Sequence, residues 1–306
     1  MSLTLNISIF AACSISVIVA GYNLAKYGDV LSEKTSLGAA WIGLLFIAGI
    51  TSLPELVTTV TGGAINAPQI SIGNAFGSNM FNIAIIGVAD ILMLGGGPFL
   101  RKVHRYHIFS GAWSILLTLT ALWGIITPSK WALFGVDPFS IIIIFLYIIG
   151  AWLLYNLEKK KTSEPKIRDL QSEEEALEKI YGDISLRKAV QGFIFMAVII
   201  ILAGVFLTKS GKNIASYTGL SGSFIGAIFV AMSTSLPELA TSIGALKVKA
   251  YDMILGDLFG SNMFNIATIF FADMAFRQGS ILKIADTNQM MVSAIAMTLT
   301  IIAILS

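Results

Sequence analysis

Long apolar runs separated by short polar breaks fill most of the chain. Runs able to cross about 30 Å of hydrocarbon as helices fall near 5–25, 38–62, 70–97, 106–127, 137–156, 189–208, 221–246, 252–275 and 285–305. One stretch is strongly polar, EKKKTSEPKIRDLQSEEEALEKIYGDISLRK at 158–188, and it must lie outside a bilayer. The pattern predicts an all-α polytopic membrane protein with nine spans. Within the polar stretch, Ser172 and Glu175 have capping-box spacing, which predicts a short surface helix over 173–181. The N-terminus, MSLTLNISIF, has no basic leader, so the first run reads as a retained helix.

Two motifs occur twice. AGITSLPEL from Ala48 returns as AMSTSLPEL from Ala231, and GNAFGSNMFNIA from Gly73 returns as GDLFGSNMFNIA from Gly256. Both pairs are offset by 183 residues, which marks an internal repeat. Five spans precede the polar loop, and an odd number inverts the second copy. The expected plan is two inverted-topology five-helix repeats with a site near the bilayer midplane between them. The units are 1–157, a cytoplasmic loop at 158–188, and 189–306. A counterpart of helix 137–156 would fall near 320–339, beyond Ser306. The second unit is therefore expected to be truncated, its tenth helix missing.

Composition agrees with the pattern. The chain is 56% hydrophobic and 12% charged, whereas soluble domains carry about 25% charged residues. The net charge of +2 points to no nucleic acid partner, and no obligate protein partner is evident. With the N-terminus outside, fifteen lysines and arginines fall on the inner side and five on the outer. The positive-inside rule then predicts a multi-pass protein of the cell membrane, with an external N-terminus and the 158–188 loop in the cytoplasm. Cys13, alone, forms no intrachain disulfide. His104 and His107 sit beside Arg101, Lys102 and Arg105 at the cytoplasmic interface and are assigned no metal role.

The repeated motifs carry the chemistry. A proline lacks an N–H and disturbs the preceding helical turn, so Pro54 and Pro237 are expected to break their helices and free the carbonyls of Ile50 and Ser233. In hydrocarbon, such carbonyls must find a partner or line a polar cavity. Thr51, Ser52, Thr234 and Ser235 add hydroxyls beside the breaks. Glu55 and Glu238 add carboxylates with no nearby lysine or arginine, so their counter-charge must be a bound ion or a proton. Asn74, Ser78 and Asn82 share one helix face, as do Asp257, Ser261 and Asn265. Every potential ligand is oxygen, and the apolar core has no Cys/His cluster, which argues against zinc or copper. A hard cation fits. Calcium accepts 6–8 flexible oxygens where magnesium keeps its water, and sodium would use the same groups.

TSLPEL…GNAFGSNMFN and TSLPEL…GDLFGSNMFN resemble the α1 and α2 repeats of the cation/calcium exchanger superfamily, most closely its prokaryotic sodium/calcium exchanger branch. The resemblance covers the motifs, the five-plus-five plan and the central loop. It implies clustered cation sites between the second, third, seventh and eighth helices. Glu55 and Glu238 would bridge calcium with help from Thr51 and Thr234. Sodium sites would use Ala48, Ser52 and Ser78 on one side and Ala231, Ser235 and Ser261 on the other, with Asn82 and Asn265 flanking the centre. Asp257 would be a vestibule residue rather than a direct ligand. Potassium-dependent relatives carry aspartate where Asn265 stands, which argues against potassium co-transport. The implied activity is electrogenic Na+/Ca2+ antiport by alternating access, the first and sixth helices sliding over a rigid core. Ca2+ and Na+ are cargo, and no cofactor is expected. Proton/calcium antiport is the alternative and a cation channel a remote one. No HExxH or Ser/His pairing lies in the apolar core, so no enzymatic chemistry is expected.

Overall fold

A computed structural model describes residues 2–34, 49–92, 106–127, 129, 132–133, 135–162, 184–247 and 251–305. The expected surface helix at 173–181, His104 and the sodium-site candidate Ala48 lie outside the described residues.

The described chain is nearly all helix. In order these are α1 (Leu3–Lys34), α2 (Leu53–Ala64), α3 (Pro68–Leu92), α4 (Tyr106–Ile126), α5 (Pro138–Thr162), α6 (Leu186–Thr218), α7 (Gly222–Lys247), α8 (Tyr251–Ala275) and α9 (Thr287–Leu305). All but α2 are long and apolar enough to cross a membrane. Of the expected span 38–62, the structure describes the part from Gly49 onward, in which α2 is the longest helix. Helix limits keep the repeat spacing: α3 and α8 match at both ends, α1 and α6 at their starts, α2 and α7 at their ends.

Burial sorts the helices. α3, α7 and α8 are the most enclosed spans, whereas α1, α6 and α9 are largely exposed apolar cylinders. Lipid supplies the solvent for such faces, so their leucines and isoleucines have no reason to turn inward. α1 packs mainly along α6. The two run antiparallel, because Lys34 Nζ donates to the Ile184 carbonyl at one end and Asn213 Nδ2 donates to Asn6 Oδ1 at the other.

Close backbone approach assembles the centre. A Cβ on Gly73 would lie 2.8 Å from the Ser223 carbonyl oxygen, and Gly77 sits as tightly against the Ala227 carbonyl. Glycine is what allows α3 to press on α7 there. On α1, Gly21 lies against the Pro237 ring. Asn66, at φ 55°, turns the chain between α2 and α3 in the left-handed conformation that asparagine tolerates.

The two prolines behave differently, which corrects the expectation of two equivalent breaks. In the first copy the helix ends at Thr51, Ser52 forms a turn (φ −89°, ψ 17°), and α2 restarts with Pro54 in its first turn. A proline costs little there, because first-turn N–H groups have no helical partner. In the second copy Pro237 lies inside continuous helix. The irregularity falls upstream instead, as a π-helical segment at Ile225–Val230. Its Gly226 rests on the Ile70 carbonyl, so tertiary contact with α3 helps decide where the second irregularity sits.

Candidate cation site

Glu55 and Glu238 are both buried, at 0% and 1% exposure. Glu55 stands in the first turn of α2, where backbone N–H dipoles favour a carboxylate. Glu238 follows Pro237 inside α7. The two carboxylates and Asp257 lie within electrostatic reach of one another, and no salt bridge to a basic side chain is made by any of the three among the described residues.

Around them the hydroxyls pair in a way that follows the repeat. Thr51 Oγ1 meets Ser261 Oγ at 3.4 Å, and the counterpart contact joins Thr234 Oγ1 to Ser78 Oγ at 3.4 Å. Thr51 Oγ1 also donates to Asp257 Oδ1 at 3.0 Å, and Thr234 Oγ1 donates to Asn74 Oδ1 at 3.4 Å. Asn74 and Asp257 therefore hold equivalent places, one neutral and one acidic. Asp257 touches the first-copy motif directly, a closer role than the vestibule reading assigned to it, although its side chain is only half-buried. Ser235 Oγ donates to Glu55 Oε1 at 3.4 Å. The counterpart pair does not form: Ser52 Oγ and both Glu238 oxygens are buried without a partner. Repeat symmetry is broken at the carboxylates and at Asp257.

The last residues of the two expected rows, Asn82 on α3 and Asn265 on α8, are both enclosed. Asn82 and Asn265 are completely buried with both amide atoms unpartnered. Ala231 is buried just after the π-helical segment, and its carbonyl accepts from Thr234 Oγ1 at 3.1 Å. Eleven of the twelve candidates are thus carried by α2, α3, α7, α8 and the residues just before α2, and contacts join Thr51 to Ser261, Thr234 to Ser78 and Ala231, and Ser235 to Glu55. Ala48 is the exception, being outside the described residues.

Buried polar atoms in native proteins nearly always have partners. Here Glu55 Oε2, both Glu238 oxygens, Ser52 Oγ and the Asn82 and Asn265 amide oxygens have none. These are six buried acceptors on α2, α3, α7, α8 and the turn before α2, the helices that carry the two glutamates. Hard cations take such an all-oxygen set. No group of three or more His, Cys, Asp or Glu side chains suited to a metal occurs among the described residues, so hydroxyl and amide oxygens would have to complete any coordination shell.

Sequence reasoning passed over Asn79 and Asn262. Asn79 Nδ2 donates to the Asn262 carbonyl at 3.1 Å, tying α3 to α8 at repeat-equivalent residues. Both stand in GSNMFN, but only packing shows that this asparagine joins the helices while the next one is buried without a partner. His107, expected at an interface, is buried and meets Asp252 at 3.0 Å.

The chain is similar to several known proteins. A family model described as sodium/calcium exchanger protein matches residues 5–156 and 188–306. Inner membrane protein YrbG of Escherichia coli is 25% identical over 257 residues, 83% of this chain and 74% of that protein. Sodium/calcium exchanger MaX1 of Methanosarcina acetivorans is 22% identical over 290 residues, 87% and 82% of the two chains. Among solved structures, the sodium-calcium exchanger NCX_Mj aligns with TM-score 0.58 at 22% identity, covering 99% of this chain and 92% of that one. The H+/Ca2+ exchanger CAX aligns with TM-score 0.70 at 14% identity, covering 98% and 75%. At these identities the two structures establish the fold alone. With the family match over most of its length and eight membrane-length helices, this integral multi-pass membrane protein belongs to the sodium/calcium exchanger protein family.

Proposed function

We propose that the chain exchanges Na+ for Ca2+ across the membrane by alternating access, with Glu55 and Glu238 at the centre of the calcium site. The observation that carries this reading is the pair of buried glutamates with no salt-bridge partner among the described residues, on helices that also carry unpartnered buried acceptors. In this reading Thr51 and Thr234 supply further calcium ligands. Ser52, Ser78 and Ala48, with their counterparts Ser235, Ser261 and Ala231, serve sodium. Asn82 and Asn265 flank the centre. The two copies of the repeat are inverted, the N-terminus is outside, and the 158–188 loop is cytoplasmic.

Charge explains exchange rather than leak. An empty site with two ionised carboxylates is costly to move past an apolar barrier. One Ca2+ cancels that charge, whereas three Na+ would leave one positive charge over. Either loaded form can switch access, and the empty form resists it. The antiparallel α1–α6 pair is the moving body in this scheme. It meets the core at the Gly21–Pro237 contact and at the 2.9 Å contact between Ser14 and Ser233 hydroxyls.

The test is ⁴⁵Ca²⁺ uptake into proteoliposomes driven by an outward Na+ gradient. Uptake that needs the Na+ gradient and is lost in Glu55→Gln supports the reading. Uptake driven equally well by a pH gradient without sodium would establish the proton-coupled alternative. Ion current without counter-transport would indicate a channel.

A further inference from the structure

A second pair of acids lies away from the candidate cation site. Asp137 immediately precedes α5, and Asp273 stands in the last turn of α8, eight residues beyond Asn265 and so roughly 12 Å further along the helix. Their exposures are 0% and 1%. Backbone contacts explain part of their presence. Asp137 Oδ1 accepts from the Phe139 N–H at 2.9 Å and so caps α5. Asp273 accepts the Asp137 N–H on Oδ2 and the Ile281 N–H on Oδ1, each at 2.7 Å, and so fastens the chain after α8 to the start of α5.

Those bonds leave a remainder. Asp137 Oδ2 is buried without a partner, as are Ser140 Oγ and Ser280 Oγ. Ser140 and Ser280 are themselves 0% and 5% exposed. Ser140 faces the Asp273 carboxylate without making a bond of hydrogen-bonding geometry. Among the described residues, no lysine or arginine forms a salt bridge with either acid. Apolar side chains, including Phe276, Ile281, Leu282 and Phe139, wall this end of the core. Two like charges in such surroundings need a compensating positive charge. A shared proton would serve one pair of oxygens. A cation would serve Asp137 Oδ2, Asp273 and the Ser140 hydroxyl at once, and the set is again all oxygen with two carboxylates, as calcium prefers.

We propose that Asp137, Asp273 and Ser140 form a second, non-transporting calcium site that pins the start of α5 to the end of α8. The site is independent of the transport reading, because none of its residues is among those proposed for transport. Asp273→Asn could unfold the junction, since Asp273 holds two backbone N–H groups. Asp137→Asn is the informative variant: its amide oxygen can still cap Phe139 while the charge is lost.

The experiment is equilibrium dialysis of the purified full chain in detergent against ⁴⁵Ca²⁺, in the native protein and in a Glu55→Gln/Glu238→Gln background. The expected result is that Asp137→Asn lowers bound calcium by one ion per chain in both backgrounds. Ser140→Ala should weaken the same site severalfold. Calcium should also raise the melting temperature of the Glu55→Gln/Glu238→Gln protein, and that rise should vanish on adding Asp137→Asn. The proposal is overturned if Asp137→Asn leaves calcium stoichiometry unchanged in both backgrounds. It is equally overturned if the melting temperature of the Glu55→Gln/Glu238→Gln protein responds to pH and not to calcium, which would identify a shared proton.

Discussion

Glu238→Gln is the most informative single perturbation of the proposed transport site. Neither Glu238 oxygen has a protein partner, whereas Glu55 Oε1 already accepts from Ser235. Glu238 is therefore the carboxylate whose interactions are most fully reserved for an ion. A unit charge pair about 4 Å apart is worth about 4 kcal/mol at an effective dielectric near 20, and a divalent ion doubles that to about 8. If the retained amide oxygen and the smaller desolvation cost return about half, some 4 kcal/mol of calcium binding is lost, on the order of a thousandfold in Kd. Ligand-linked stability then gives a direct readout. At calcium a hundredfold above the native Kd, binding stabilises the fold by about 2.7 kcal/mol; at a thousandfold weaker Kd the same calcium contributes under about 0.1 kcal/mol. The assay is thermal unfolding in detergent with calcium or with chelator, beside Na+-driven ⁴⁵Ca²⁺ flux. The calcium-dependent rise attributable to the transport site should disappear and flux should cease. To separate the second site, the comparison is made in an Asp137→Asn background. An unchanged calcium-dependent rise there would refute the assignment of Glu238 as a ligand.

Three further outcomes are expected. Asp257→Asn keeps an acceptor for Thr51 but removes a charge near both glutamates, so calcium affinity should fall about tenfold, about 1.4 kcal/mol, as read by the calcium dependence of flux; unchanged affinity would return Asp257 to a distant role. Gly73→Ala puts a methyl 2.8 Å from the Ser223 carbonyl and should cost about 1–3 kcal/mol through overpacking, measured as a lower melting temperature in ion-free buffer; an unshifted melt would mean that α3 and α7 separate freely there. For orientation, a single cysteine placed in the 158–188 loop of a Cys13→Ser chain should react with an impermeant maleimide only after intact cells are opened, and labelling in intact cells would reverse the topology.

Much of the candidate site is legible in the sequence because membrane burial makes polar residues costly. Glu55, Glu238 and the Thr/Ser/Asn rows stand out against apolar runs, and the 183-residue repeat gives each a counterpart. Helix limits followed from the same contrast, so α7 and α8 begin and end within a residue of the expected spans. What periodicity could not show was how the two copies differ. Identical SLPE segments end as a broken helix at Ser52 and a continuous helix through Pro237, because a proline's effect depends on whether neighbouring packing lets the chain restart before it. Identical serines end with Ser235 on Glu55 and Ser52 without a partner, because a displacement well under the length of a side chain makes or loses a hydrogen bond. The acid pair Asp137 and Asp273 is separated by 136 residues and lies outside both repeated motifs. Only the meeting of α5 with α8 brings those carboxylates together. Local pattern determined which residues are too polar for lipid, and tertiary contact decided which of them face one another.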